Sequence, residues 1–104
     1  MPGVDFDRVR REITMEQVLD LLGFAPTSRS GVQWYGRCPL RDCGSQRGRS
    51  FSVNVAIGRY YCHCCRSRGH QLELWAAAAK LPLHPATIAL CRTLGIEVPW
   101  IHRW

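Results

Sequence analysis

The stretch that decides the fold runs from residue 34 to residue 65 and reads WYGRCPLRDCGSQRGRSFSVNVAIGRYYCHCC. It holds two short cysteine pairs, Cys38-x4-Cys43 and Cys62-x2-Cys65, separated by a segment that alternates Phe51, Val53 and Val55 with Ser52 and Asn54. That alternation is the period of a half-buried strand over residues 50–55. Gly58 marks a turn into a second strand over residues 59–62, so a hairpin delivers the second cysteine pair at its far end. Pro39 and Gly44 suit a tight knuckle in the first pair, and Gly69 is expected to close the turn after the second. Four thiols at strand ends can take the corners of a tetrahedron, which is what a structural zinc requires at about 2.3 Å from each sulfur. Cys38, Cys43, Cys62 and Cys65 are therefore the expected metal ligands, with one structural zinc ion as cofactor. A hairpin with little core of its own closes around the metal, so folding and metal binding are expected to be one event.

Other donors stand close by. Cys64 lies between Cys62 and Cys65, and His63 and His70 flank the pair. The x2 spacing favours Cys62 and Cys65, leaving Cys64 as a spare thiol and the two histidines as surface or loop residues, each an alternative to Cys43 as fourth ligand. A reactive dithiol is the competing chemistry for Cys62-x2-Cys65, but that chemistry belongs to a βαβ setting rather than to a hairpin with a second cysteine pair upstream. Cys91, beside Ile88 and Leu94, reads as an ordinary buried cysteine.

Outward from the hairpin, residues 32–37 alternate Val32, Trp34 and Gly36 against Gln33, Tyr35 and Arg37, as a strand does, and residues 26–31 read as a loop. Upstream, Thr14 and Gln17 form a capping box, Ile13 and Val18 a hydrophobic staple, and Met15, Val18, Leu19 and Leu22 one apolar helix face ended by Gly23. Asp5 is placed to cap a shorter helical turn bearing Phe6 and Val9. Downstream, residues 71–80 form a helix stopped before Pro82, and residues 86–94 a last helix with Pro85 in its first turn and Gly95 after its end. The expected architecture is α+β: a zinc ribbon with a small antiparallel sheet, flanked by short helices at both ends of the chain. It reads as one domain over residues 1–104, with the ribbon core and its flanking helices over 13–82 and a C-terminal helix and tail over 83–104.

With 104 residues, the chain buries only about 60 to 70% of its unfolded surface, and a metal staple compensates for that. No apolar run resembles a signal peptide or a membrane span, so a reducing cytoplasmic location is expected, where clustered cysteines hold metal rather than disulfides. The net charge is +6, and residues 29–68 alone carry +7, from eight arginines against Asp42. The positive charge thus surrounds the cysteines, which points to a polyanionic partner. The eight acidic residues include one Asp-x-Asp, Asp5-Phe6-Asp7, which suits a helix N-terminus, and no P-loop or nucleophile motif is present. The chain is not expected to be an enzyme by itself.

These residues resemble the zinc-binding domain of DnaG-type bacterial primases, the CHC2-type zinc fingers. The resemblance rests on residues 13–23, 32–37, Cys38-Pro39-Leu40, Ser50-Phe51-Ser52-Val53, 61–65, 69–75 and Leu94-Gly95-Ile96-Glu97-Val98-Pro99, and covers nearly the whole chain. It carries Cys38, Cys62 and Cys65 over as ligands by position. The family's histidine falls on Arg41, which stays protonated and cannot bind a metal, so Cys43 enters by proximity and chemistry alone. The resemblance implies a module that holds the template strand in primer synthesis, while a separate acidic metal site forms the bonds.

Single-stranded DNA is held by a basic surface with aromatic platforms. Alternation places Tyr35 with Arg37, and Arg59 with Tyr61 and His63, on common faces. The expected DNA contacts are Tyr35, Arg37, Arg59 and Tyr61, with Arg47, Arg49, Arg66 and Arg68 around the knuckles as phosphate contacts. Expected partners are a single-stranded template and a primase polymerase or helicase, with no membrane. The alternative is a protein-contact module docking on a replication or mobile-element enzyme, anchored by Trp100 and Trp104.

Overall fold

The computed structural model describes residues 3–40 and 50–101; Arg41, Cys43, Gly44, Arg47, Arg49 and Trp104 lie outside the described residues. Strand β1 (Gly3–Val4) leads into α1 (Phe6–Glu12) and α2 (Met15–Leu21), followed by β2 (Ser28–Ser30), β3 (Gln33–Gly36), β4 (Phe51–Asn54), β5 (Arg59–Cys62) and β6 (Arg68–His70). Helices α3 (Gln71–Ala79) and α4 (Leu83–Thr93) and strand β7 (Trp100–Ile101) complete the chain. Strands β2 to β6 form an antiparallel meander in sequence order, and β1 pairs antiparallel with β7. The fold is α+β, as the hairpin and flanking helices predict.

The helix ends follow local chemistry. Asp5 accepts the Arg8 N–H and starts a full helix rather than a single turn. Thr14 and Gln17 make the reciprocal capping box, with Thr14 N–H donating to Gln17 Oε1 at 2.8 Å and Gln17 N–H to Thr14 Oγ1 at 3.2 Å. Ile13 and Val18, the expected staple, are both fully buried. Gly23 takes a φ of +73° just past the helix end.

Phe51, Val53, Tyr60 and Cys62 form the inner face of the sheet and are buried with Val9, Ile13, Val18, Leu19, Leu72, Leu74 and Leu90. Each such large apolar side chain stabilises by roughly 1.5 to 3 kcal/mol relative to exposure. Phe51 anchors this layer, lying 5.2 Å from the Phe24 ring and 5.6 Å from Tyr60, centroid to centroid. Gly36 is required beside it, because a Cβ there would stand 2.8 Å from the Phe24 ring. Gln71 locks α3 to α1: its buried amide nitrogen donates to the carbonyls of Arg10 and Ile13, both at 3.0 Å, satisfying oxygens that the end of α1 leaves open.

Four expectations are corrected. Residues 28–30 form an edge strand instead of loop, because they pair with β3, and Arg29 lies 4.4 Å over the Trp34 ring. Val32 is 49% exposed in the turn between them, so it does not share the buried face of Trp34. Gly69 sits in the middle of β6 rather than closing the knuckle, since pairing with β5 draws residues 68–70 into the sheet. The last helix starts at Leu83, three residues earlier than expected; Pro85 is accommodated because first-turn N–H groups have no helical acceptor.

Replacing Gln71 with leucine should keep the volume but leave the Arg10 and Ile13 carbonyls unpaired. Stability in chemical denaturation should fall by about 1 to 3 kcal/mol, and an unchanged midpoint would show that water replaces the amide.

Candidate metal centre and adjoining sheet face

Gly36, Phe51 and Cys62 occupy one cross-strand row on the inner face. The row brings Cys38, two residues beyond β3, against the end of β5. The thiol sulfurs of Cys38, Cys62 and Cys65 lie within 4.8 Å of one another, with Cys38 and Cys65 4.0 Å apart. A tetrahedral zinc with bonds of about 2.3 Å separates its sulfurs by about 3.8 Å, so three of the four expected thiols stand at ligand spacing and are placed to hold a metal ion.

The backbone supports this assignment. Cys65 N–H points to Cys62 Sγ at 3.5 Å, and the Leu40 backbone hydrogen-bonds the Cys38 thiol. Such N–H groups stabilise thiolate charge. The turn after β5 is held by Arg66 N–H on Cys62 O and by Cys62 N–H on Ser67 O, both at 2.9 Å, with Arg66 at a φ of +60°. Burial pushes the Cys38 thiol well above its ordinary range; the Leu40 hydrogen bond opposes this, and the nearby Cys62 and Cys65 add to the rise. Without metal the Cys38 thiol keeps its proton, so metal capture there releases a proton and weakens as pH falls.

Cys62 is buried, whereas Cys64 and Cys65 are exposed. Cys64, His63 and His70 are not part of the thiol cluster. His63 instead packs edge-on to Tyr61 at 4.8 Å, and His70 caps α3. His70 Nδ1 accepts the Leu72 N–H at 3.2 Å, and its Nε2 lies 3.1 Å from Glu73 Oε1. The His70 backbone N–H in turn donates to Glu73 Oε1 at 3.3 Å, which makes a capping box of the form His-x-x-Glu, a pattern present in the sequence but outside the usual Ser/Thr signature. Cys91 is buried as expected, and burial raises its thiol.

On the opposite face of the sheet, Ser28, Tyr35, Ser52, Tyr61 and Arg68 form one continuous cross-strand row. The neighbouring row is Ser30, Gln33, Asn54, Arg59 and His70. Alternation had joined Tyr35 to Arg37 and Arg59 to Tyr61 within single strands; the register joins the two tyrosines across strands, and adds Ser52 between them. Tyr35 and Tyr61 are half-buried, and Arg37, Arg59, Arg66 and Arg68 are exposed.

A five-stranded antiparallel sheet ending in clustered thiols defines a zinc-ribbon type of domain. The chain belongs to the DnaG zinc-ribbon family, the CHC2 zinc fingers, whose profile matches residues 3–103. It is 30% identical to a DNA primase of Treponema pallidum over 82 residues, 78% of this chain and 13% of that protein. It is 28% identical to a DNA primase of Helicobacter pylori over 94 residues, 90% of this chain and 16% of that protein. The chain thus spans about an eighth to a sixth of the primases it matches. The fold also matches the crystal structure of the Aquifex aeolicus primase zinc-binding and RNA polymerase domains, with a TM-score of 0.71 at 20% identity, over 92% of this chain and 23% of that one. The match is to the zinc-binding part of the primases, and no catalytic domain is indicated. Among the described residues no helix is long and apolar enough to cross a membrane.

Burial holds His70 below its ordinary 6.5; Glu73 opposes this, while Arg10 and Arg59 add to it. The folded state therefore resists a proton that the unfolded chain accepts, so this contribution to stability is intact above 6.5 and declines as pH falls below it. His70→Asn, which retains a cap acceptor, should flatten the stability slope below pH 6.5 relative to wild type at saturating metal. Parallel slopes would remove His70 from the pH response.

Proposed function

We propose that this chain is a primase-type zinc module that binds single-stranded template DNA on the outer face of its sheet and serves primer synthesis made elsewhere. The observation that carries this reading is the row Tyr35, Ser52, Tyr61 and Arg68, with Arg59 one row away. Two tyrosines offer stacking platforms for bases, and the flanking guanidiniums offer forks for phosphate oxygens. Arg37 follows β3 and Arg66 lies in the turn after β5, both exposed, and Arg47 and Arg49 fall in the sequence between Cys43 and Cys62, outside the described residues. The family resemblance and the DNA primase relatives support the same reading. Zinc, suited to soft thiolate donors, is the ion for Cys38, Cys62 and Cys65, with Cys43 as fourth ligand in place of the family's histidine. The zinc supplies a fixed charge and a covalent-like clamp at the strand ends; the chain's own residues bind the strand. The polymerising site and its partners, a primase polymerase or helicase, lie outside this chain, which we place in the cytoplasm as one domain.

A second reading, a protein-docking module, is favoured by Trp100, which is 39% exposed and lies tilted against His84 with ring centroids 6.3 Å apart. The two readings differ in salt response, since phosphate contacts make the logarithm of affinity fall linearly with the logarithm of salt and an apolar interface does not.

Elemental analysis of the purified chain should find one zinc, retained in Cys64→Ala and lost in both Cys62→Ala and Cys43→Ala. Zinc retained without Cys43 would move the fourth ligand elsewhere. With zinc-loaded protein and a labelled oligothymidylate, Tyr61→Ala should weaken binding by about 1 to 3 kcal/mol, roughly fivefold to more than a hundredfold. Salt-independent binding, or none by the wild-type chain, would overturn the template-binding role.

A further inference from the structure

The outer face does not stop at the row containing Asn54, Arg59 and His70. Beyond it the turn between β4 and β5 faces α1 across a cleft of about 630 Å³, lined on one side by Arg10 and Arg11 and on the other by Ile57, with Gly58 and Gln71 at its base. Ile57 is 65% exposed, so this wall is open to solvent. On α1, Arg8 is paired with Glu12 at 3.0 Å, whereas no ion pair joins Arg10 or Arg11 to an acid among the described residues. Asp7 also lines the cleft, so its ionised groups leave a net positive charge. Gln71 is 6% exposed and is held in place by its amide nitrogen, tied to the Arg10 and Ile13 carbonyls, while its oxygen has no hydrogen-bond partner among the described residues. Gly58 allows the close approach, since a Cβ there would stand 2.7 Å from that oxygen.

Two further observations connect the cleft to the sheet. Arg59 and His70 are cross-strand partners, and Gln71 follows His70 directly, so the base of the cleft adjoins the end of the outer row. Arg10 and Arg59 both disfavour a proton on His70, which places the two guanidiniums within electrostatic reach of one imidazole. Glu73 lies with Arg59 and Arg68 on that side, so the positive stretch that adjoins the cleft is Arg59 with Arg10.

We infer that Arg10 and Arg11 form a second phosphate-binding station, which takes the backbone of a single strand as it leaves the tyrosine row past Asn54 and Arg59. The inference rests on the outer face being a nucleic-acid surface. Adjacent guanidinium forks match phosphate oxygens, and the helix end that carries them is held in place by Gln71. With neither arginine engaged in an ion pair among the described residues, a phosphate can be taken up without breaking one of those.

The test uses the zinc-loaded full chain with two oligothymidylates, one long enough to cover only the tyrosine row and one extending past the turn. Wild type should bind the longer strand more tightly, with a steeper salt dependence. Arg10→Gln with Arg11→Gln should bind both strands alike. Its salt slope on the longer strand should drop by about 1.4, since each single-strand phosphate that an arginine neutralises adds about 0.7 to the slope. Ile57→Glu, at an exposed position, should weaken only the longer strand by charge repulsion and serves as an independent variant should the double change perturb α1. Unchanged affinity and slope in both variants, with Tyr61→Ala still impaired, would overturn this station and leave the tyrosine platform standing. Absence of binding by wild type to either strand would overturn both.

Discussion

The structure depends on Cys62 being both a member of the thiol cluster and a core residue. It is fully buried and pairs across the sheet with Phe51, which in turn faces Gly36 on β3. The thiol cluster and the apolar layer consequently share a wall, and neither can be displaced without the other. Phe24 packs into the space that Gly36 leaves open and onto Phe51, fixing where β3 ends and so where Cys38 begins. A metal at these sulfurs would hold together β3 and the turn after β5, adding closure to that of the apolar core.

That coupling explains why the centre of the molecule could be read from the amino-acid order. Phe51, Val53 and the Cys62-x2-Cys65 spacing each point to the same hairpin, and the Thr14 to Gln17 box is local chemistry with its partners three residues apart. The missed elements have no such local signal. Ser28-Arg29-Ser30 contains no apolar residue, and Arg68-Gly69-His70 contains a glycine, so both are strands only because β3 and β5 offer them unpaired edges. Gly3–Val4 and Trp100–Ile101 meet from opposite ends of the chain, and nothing within either segment announces the other. At the candidate metal centre the same distinction holds: three of the expected thiols follow from spacing and meet in space, whereas Cys43 lies outside the described residues.

The candidate binding face was half readable for a related reason. Strand alternation predicts which residues share a face within one strand, but the register between strands decides which side chains become neighbours. Tyr35 and Tyr61 come into one row only because both face Ser52, and a slip of one residue in either ladder would turn a tyrosine into the core and Trp34 or Tyr60 outward. Phe51, stacked on Tyr60 at 5.6 Å, opposes that slip. The packing that secures the core thus also sets the spacing of the outer platform.

The distribution of charge separates two roles for the arginines. Four thiolates around a divalent zinc carry a net charge near −2, and the +7 of residues 29–68 exceeds that more than threefold. Offsetting thiolate charge therefore accounts for only part of the basic excess. The surplus is not spread evenly: Arg59 and Arg68 stand on the two outer rows, away from the buried Cys62 sulfur, while Arg29 is engaged with the Trp34 ring. Like charges held along one rigid face repel one another, and a polyanion lying across that face relieves the repulsion where dispersed monovalent ions do so less completely.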